Sequence, residues 1–280
     1  MGYRARAHIR IDGAPDLVKR CTVEIAGGWI EACTIGSGPP VLLLPGLGGR
    51  ATFWRHVWPA LEDRHQVISL DHRGCGGSSR NDAEYSIEQM SRDVLAILDR
   101  FEVNCTDVVG HSTGGAIALW LAVHRPERCR KLVLSSTWGG TNPYIKASFE
   151  LRRKVLSALG QNAYEQLVDL MLYPPDWYAH HESELLAHRV GVDVDVQILD
   201  SRLKAVIDFN LRTRLGEITH PCLVVCPQDD AVIPSFLSRE IASAIRGAHL
   251  RILPFGGHAA PRIMSEAFLA AVLPFLGLQE

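Results

Sequence analysis

Val108-Val109-Gly110-His111-Ser112-Thr113-Gly114-Gly115 joins a short β-branched run to a stretch of helical sequence, residues 113–124. The pattern is G-x-S-x-G in a strand, turn and helix setting. A turn that sharp holds the serine in a strained backbone conformation, and only small residues at 110 and 114 let the helix and strand come together. The hydroxyl then stands clear of the sheet, at the positive end of a helix dipole. The same spacing also occurs as a plain glycine turn, so Ser112 reads as a nucleophile only if the rest of the chain supplies its partners.

Short apolar runs and helical patterns alternate on both sides of this stretch. Residues 22–26 and 29–35 form a hairpin through Gly27-Gly28. Further strands are predicted at 41–44 (VLLL), 66–70, 107–109, 131–134, 223–226 and 250–253. Helices are predicted at 86–101, where Ser86 and Gln89 have capping-box spacing, at 113–124 and at 235–245. The apolar run 267–278 is too short to span a bilayer and reads as a terminal amphipathic helix. Strands separated by helices imply an α/β protein with a mainly parallel sheet, helices on both faces and ligands at the C-terminal strand ends. Residues 140–216 break the rhythm, with helical sequence, a Pro174-Pro175 break and no convincing buried strand. They are expected to be a helical cap, or lid, inserted into a core made of residues 1–139 and 217–280.

A serine hydroxyl needs a base within hydrogen-bond reach. Of twelve histidines, His258 follows an apolar strand through the flexible Phe255-Gly256-Gly257, which can carry an imidazole back over the strand ends. The base needs an anion to fix its tautomer. Asp229 and Asp230 both follow the strand 223–226; Asp230 is chosen, leaving Asp229 to cap the helix that starts near Pro234. The other place for the acid, after residues 131–134, reads Ser135-Ser136-Thr137-Trp138 and has no carboxylate. Pro45-Gly46-Leu47-Gly48-Gly49 follows VLLL and is expected to bring the Leu47 NH opposite the Thr113 NH as an oxyanion hole. His111 is read as a residue shaping the pocket. His180, His181 and His188 are read as exposed, and no carboxylate arrangement supports a metal site.

With Ser112, Asp230 and His258 in that chain order, the sequence resembles the α/β-hydrolase superfamily over almost its whole length. Asp71-His72-Arg73-Gly74-Cys75-Gly76-Gly77-Ser78 is similar to a segment of that family, with Arg73 expected to tie down Asp71. Residues 45–49, Tyr85-Ser86-Ile87-Glu88-Gln89-Met90, Leu172-Tyr173-Pro174-Pro175-Asp176-Trp177 and Phe255-Gly256-Gly257-His258-Ala259 resemble one branch, the aminoacrylate hydrolases of pyrimidine degradation (the Rut pathway), with 3-oxoadipate enol-lactonases as near relatives. The resemblance implies the α/β-hydrolase fold and hydrolysis of a small acidic metabolite or a related C–N or ester bond. The chain departs from the wider family at Pro45, where a histidine often stands, and at Pro227, where the acid loop usually begins with glycine.

The expected function is that of a cofactor-free, metal-free serine hydrolase acting on a small molecule. An enol-lactonase or carbon–carbon bond hydrolase would use the same three residues. A ligand sensor with residual turnover is the reading from another class; haloalkane dehalogenation would need a carboxylate at position 112. Trp138, Tyr173, Trp177 and His111 are candidate pocket residues, with packing an equal reading for the three aromatic ones. Arg152-Arg153-Lys154 and the Arg212, Arg214 pair are expected to face solvent, although one arginine turned inward would bind a substrate carboxylate. The 280 residues carry 29 Lys+Arg against 31 Asp+Glu, a balance that gives no field to attract nucleic acid or an anionic membrane. Residues 1–10 are basic but have no signal-peptide apolar stretch behind them. Seven cysteines without a CxxC pair suit a reducing, cytoplasmic setting, with Cys222 and Cys226 as core packing. A monomer and a homodimer are equally compatible with the sequence.

Overall fold

Runs with β-branched residues and no polar face should be buried on both sides, and they are the centre of the sheet. The computed structural model describes residues 18–81, 85–189 and 195–278, so the reading of residues 1–10 falls outside the described residues. The strands are β1 (Lys19–Ile25), β2 (Gly28–Ile35), β3 (Pro40–Leu44), β4 (Gln66–Leu70), β5 (Thr106–His111), β6 (Cys129–Ser135), β7 (Cys222–Pro227) and β8 (His249–Leu253). They lie in the order β1-β2-β4-β3-β5-β6-β7-β8. The β1–β2 hairpin turns at Gly27, where φ is 80°, and β2 joins β4 antiparallel. Every other pairing is parallel. All positions of β5 and β7 are buried.

The helices are α1 (Ile87–Arg100), α2 (Thr113–His124), α3 (Pro143–Leu172), α4 (Pro175–Arg189), α5 (Val196–Asp208), α6 (Ser235–Ala244), α7 (Ala260–Ile263) and α8 (Ser265–Leu276). The period of two along each strand divides the core into two layers. Leu42 and Leu44 face a cluster with Val94, Ile117 and Leu237 from α1, α2 and α6. Val41 and Leu43 face the other, with Trp54, Trp58 and Phe268. Cys222 lies in the first layer, where burial pushes its thiol up to about 12, so it packs as an unreactive core residue.

Ser86 caps α1 by accepting from the Gln89 NH at 3.0 Å, while the Gln89 side chain turns forward to Asp93 at 3.1 Å, so only half of the capping box forms. Between β6 and β7 lie α3, α4 and α5. Asn142 accepts from the Ile145 NH to start α3, which breaks at Gly160 (φ 79°), and Asp195 accepts from Gln197 and Ile198 to start α5. α3 and α5 pack against each other, and Phe149, Leu156 and Leu203 join the first core layer. Among the described residues no helix is long and apolar enough to cross a membrane.

The expected tie between Arg73 and Asp71 does not form. Asp71 accepts from the Ala51 and Gly77 amides at 2.8 and 3.0 Å, two donors on tight loops with no strand to satisfy them. Arg73 reaches instead to α1 and grips both oxygens of Asp93 at 2.7 and 3.0 Å, with a third bond to the Ala26 carbonyl at 2.9 Å.

Candidate active site

The loops after β3, β5, β7 and β8 leave the sheet at its C-terminal edge, and each brings one part of the site. Ser112 lies between β5 and α2, as the N-cap of α2, with φ 54° and ψ −119°, a conformation L side chains rarely take. Its backbone is held by bonds from its NH to the Ser135 carbonyl (2.8 Å) and to its carbonyl from Thr137 Oγ1 (2.8 Å) and the Gly115 NH (2.9 Å). A methyl group on Gly110 would stand 2.4 Å from the Gly114 carbonyl oxygen, and one on Gly114 would stand 2.1 Å from that of Leu44. Both glycines are therefore needed to bring α2 down onto β3 and β5.

The loop after β8 turns through Gly256 and Gly257, at φ 135° and 56°, and delivers His258. Its Nδ1 lies 2.8 Å from Asp230 Oδ2, and both side chains are buried. The other Asp230 oxygen accepts from the Val232 and Ile233 amides at 2.9 and 2.8 Å, which fixes the carboxylate in the strand-to-helix turn. With the Nδ1–H donated to Asp230, Nε2 is the ring nitrogen left free to accept a proton. Asp229 does not cap the helix after Pro234 as expected: it accepts from the Gly256 and Gly257 amides at 3.3 and 3.0 Å. The two adjacent carboxylates divide the loop after β8 between them: Asp229 holds its backbone and Asp230 holds the histidine ring.

Ser112 and His258 open on one cavity of about 420 Å³, with Leu47, His111 and Tyr173 in its wall. The loop after β3 comes so close that a methyl on Gly46 would stand 3.2 Å from Ser112 Cβ. Thr113 is the first residue of α2, where a helix leaves its NH groups without an intrahelical acceptor. His111 stacks on Phe53 at 4.8 Å, sits 4.8 Å from the His258 ring and bonds Ser135 Oγ at 3.1 Å. Burial, then the neighbouring charge of His258, pushes its pKa well below the ordinary histidine value, so it packs as a neutral ring.

Trp138 and Trp177 do not line this cavity. The chain turns at Ser136 (φ 45°), and beyond that turn the Trp138 indole is fully buried against Phe209 at 5.8 Å. Trp177 stands behind Tyr173, stacked between it (4.6 Å) and His181 (4.1 Å). His180 is exposed, and the His188 side chain lies outside the described residues. No group of three or more metal-ligating side chains forms among the described residues.

Two arginines line the cavity from the helices between β6 and β7. Arg152, from the cluster expected to face solvent, is 3% exposed; Arg202 of α5 is 2% exposed and was not singled out by its sequence. Its signal is position: Ile198, Arg202 and Val206 recur every four residues, so a cation occupies the apolar stripe of an amphipathic helix. Phe149, Arg152 and Leu156 repeat the pattern in α3. Arg153 pairs with Asp200, Arg212 with Glu240 and Arg214 with Glu217.

The sequence profile of the alpha/beta hydrolase fold matches residues 39–261. A protein of Azorhizobium caulinodans named "Putative carbamate hydrolase RutD" is 37% identical over 249 residues, covering 86% of this chain and 92% of its own length. A protein of Variovorax paradoxus with the same name is also 37% identical over 249 residues, 85% of this chain and 92% of its own. Among solved structures, a hydrolase from Pseudomonas aeruginosa has a TM-score of 0.85 at 30% identity, over 92% of this chain and 98% of that one. The enol-lactonase of Burkholderia xenovorans has a TM-score of 0.85 at 25% identity, over 92% and 100%. The chain that sets a strained serine and a carboxylate-held histidine at the edge of this sheet belongs to the α/β hydrolase family and is a hydrolase.

Proposed function

We propose that the protein is a serine hydrolase that cleaves an ester or amide-type bond of a small molecule through an acyl-enzyme. Ser112 Oγ attacks the acyl carbon, His258 takes its proton and passes it to the leaving group, and Asp230 holds the imidazole in the tautomer that this requires. The Leu47 and Thr113 amides receive the oxyanion, and water activated by His258 then releases the acid. The observation that carries this reading is the pairing, in one cavity, of a serine at φ 54° with a histidine whose far nitrogen is fixed 2.8 Å from a buried carboxylate. The helices between β6 and β7, within residues 140–216, act as the lid that keeps bulk water from the acyl-enzyme. A carbamate, as in the names of the relatives, is an acyl substrate that this chemistry accommodates.

An enol-lactone is the second reading, favoured by the likeness to the Burkholderia xenovorans enzyme, since a lactone is an ester whose leaving group stays tethered. Labelling with a fluorophosphonate, followed by peptide mapping, tests the nucleophile: the label is expected on Ser112. Retention of label and of turnover in Ser112→Ala would overturn the mechanism. Product analysis over aryl esters, amides, carbamates and lactones then separates the two readings.

A further inference from the structure

We propose that Arg202 and Arg152 form an anion subsite in the roof of the cavity, and that the substrate acted on at Ser112 carries a carboxylate on its acyl part. The acyl half of this statement rests on the serine-hydrolase reading above; the anion half rests on the arginines alone. Buried cations are normally matched by carboxylates or by a full set of hydrogen bonds. Arg73 follows that rule, with both oxygens of Asp93 and one carbonyl on its guanidinium.

Arg202 does not. Its Nε and Nη2 are buried without a partner, and Nη1 donates to Cys75 Sγ, a weak acceptor. Arg152 has an unpartnered Nε, places Nη2 3.5 Å from Met171 Sδ and lays its guanidinium 4.6 Å from the centre of the Phe149 ring. Neither makes an ion pair among the described residues. Both line the cavity of Ser112, and both act electrostatically on Tyr164, a buried phenol in the same wall.

Their surroundings differ. A methyl on Gly49, in the loop after β3, would stand 2.8 Å from Arg202 Nη2, so this cation borders the loop proposed to hold the oxyanion. Arg152 is within reach of the charge of Asp230. The cavity wall also carries Arg50, Arg55, Arg80 and Arg262, the last paired with Glu184, and among the described lining residues the one carboxylate is that of Asp195, one oxygen of which accepts from the Gln197 and Ile198 amides. In a chain of net charge −2 this is a local concentration of positive charge. It draws in an anion, and the planar guanidinium of Arg202, with Nε and Nη2 unpartnered, matches a carboxylate in a forked pair. The cavity has room for an acid of several carbon atoms as well as for a carbamate.

The test uses the full-length protein and two independent arms. In the first, malonate, succinate and glutarate are titrated calorimetrically into wild type, Ser112→Ala, Arg202→Met and Arg152→Met. At least one diacid is expected to bind wild type and Ser112→Ala alike, and to bind Arg202→Met more weakly by about tenfold or more. In the second, the mono(4-nitrophenyl) ester of the bound diacid is compared with a neutral ester of equal length. The ratio of their kcat/KM values is expected to favour the anion in wild type, to fall by about tenfold or more in Arg202→Met, and to recover in part in Arg202→Lys. Thermal unfolding guards against misfolding: Arg202→Met should melt no lower than wild type without ligand, because it removes an unpartnered cation. Absence of diacid binding to wild type, or an unchanged ratio in Arg202→Met, would overturn the subsite. Diacid binding with no fluorophosphonate label on Ser112 would overturn the serine mechanism and leave the subsite standing.

Discussion

The cavity has two kinds of wall. The strand-borne wall holds Ser112, Asp230 and His258, and each is fixed by short bonds to backbone or side chain. The helical roof holds Arg152 and Arg202, just as buried but with nitrogens that no described residue satisfies. Satisfied groups are positioned for chemistry that does not depend on which substrate arrives. Unsatisfied ones are positioned for a partner that arrives from outside. Under the proposed mechanism and subsite, the wall sets the reaction and the roof sets the selection, a division that substitutions can break.

A wall residue should matter equally for every substrate. Ser112→Ala is expected to lower kcat by about 10⁶-fold, the loss typical when a triad serine is removed. Steady-state assays on neutral and anionic esters should show the same loss, and a loss confined to one class would place Ser112 in recognition. Asp230→Asn keeps the shape but puts an NH2 where His258 needs an acceptor, forcing the other tautomer. The expected fall is about 10⁴-fold in kcat, again for both ester classes.

The third test sets two equally buried arginines against each other. Arg73→Met leaves Asp93 charged, buried and without its main partner, so urea unfolding should show a loss of about 3–5 kcal/mol. Arg202→Met removes a cation with no carboxylate to strand, so its stability without ligand should stay level or rise. Similar losses in both would mean that Arg202 has structural partners after all and that roof and core arginines do the same job.

Most of the wall was legible in the sequence because its parts are local. A strand, a G-x-S-x-G turn and a helix are contiguous at residues 106–124, and the glycines at 110 and 114 announce a close approach that the structure requires. Asp230 and His258 each sit one tight loop beyond a strand, fully buried in β7 and only partly buried in β8, so chain order alone brought them to the same edge. What failed depends on direction across space. Asp229 and Asp230 differ by one step along a turn, and only the position of the β8 loop decides that Asp229 takes backbone amides instead of capping α6. Arg73 chooses Asp93 over Asp71 because α1 passes within reach, which no spacing records. The roof is the least legible, since a run of basic residues reads as solvent-facing. The helical period contained the answer, placing Arg152 in line with Phe149 and Leu156 while Arg153 turned outward to Asp200.

The smallest expected effect lies at the seam between wall and roof. His72 Nε2 lies 3.0 Å from the Pro45 carbonyl, at the head of the proposed oxyanion loop, and feels the charge of Arg202. Burial, and then that positive charge, lowers its pKa to about 3, with the bond to Pro45 opposing. An unfolded chain titrates its histidines near ~6.5. Between about pH 6.5 and 3 the unfolded chain therefore binds a proton that the folded protein refuses, and stability is lost as pH falls through that window; above it the contribution is complete. At about 1.4 kcal/mol per pH unit, the loss from this residue reaches about 2–3 kcal/mol by about pH 4.5. His72→Gln keeps an NH donor for the Pro45 carbonyl and does not titrate, so urea unfolding should show a fall between about pH 7 and 4.5 that is smaller than wild type's by that amount. Acid sensitivity remaining in the variant belongs in part to His111, whose pKa is lowered by the same burial. Arg202→Met should soften the same acid limb by a smaller step, because it removes the second cause of the His72 shift and leaves the first. Identical acid limbs in Arg202→Met and wild type would show that the roof cation does not reach the wall, and the two sides of the cavity would then be electrostatically separate.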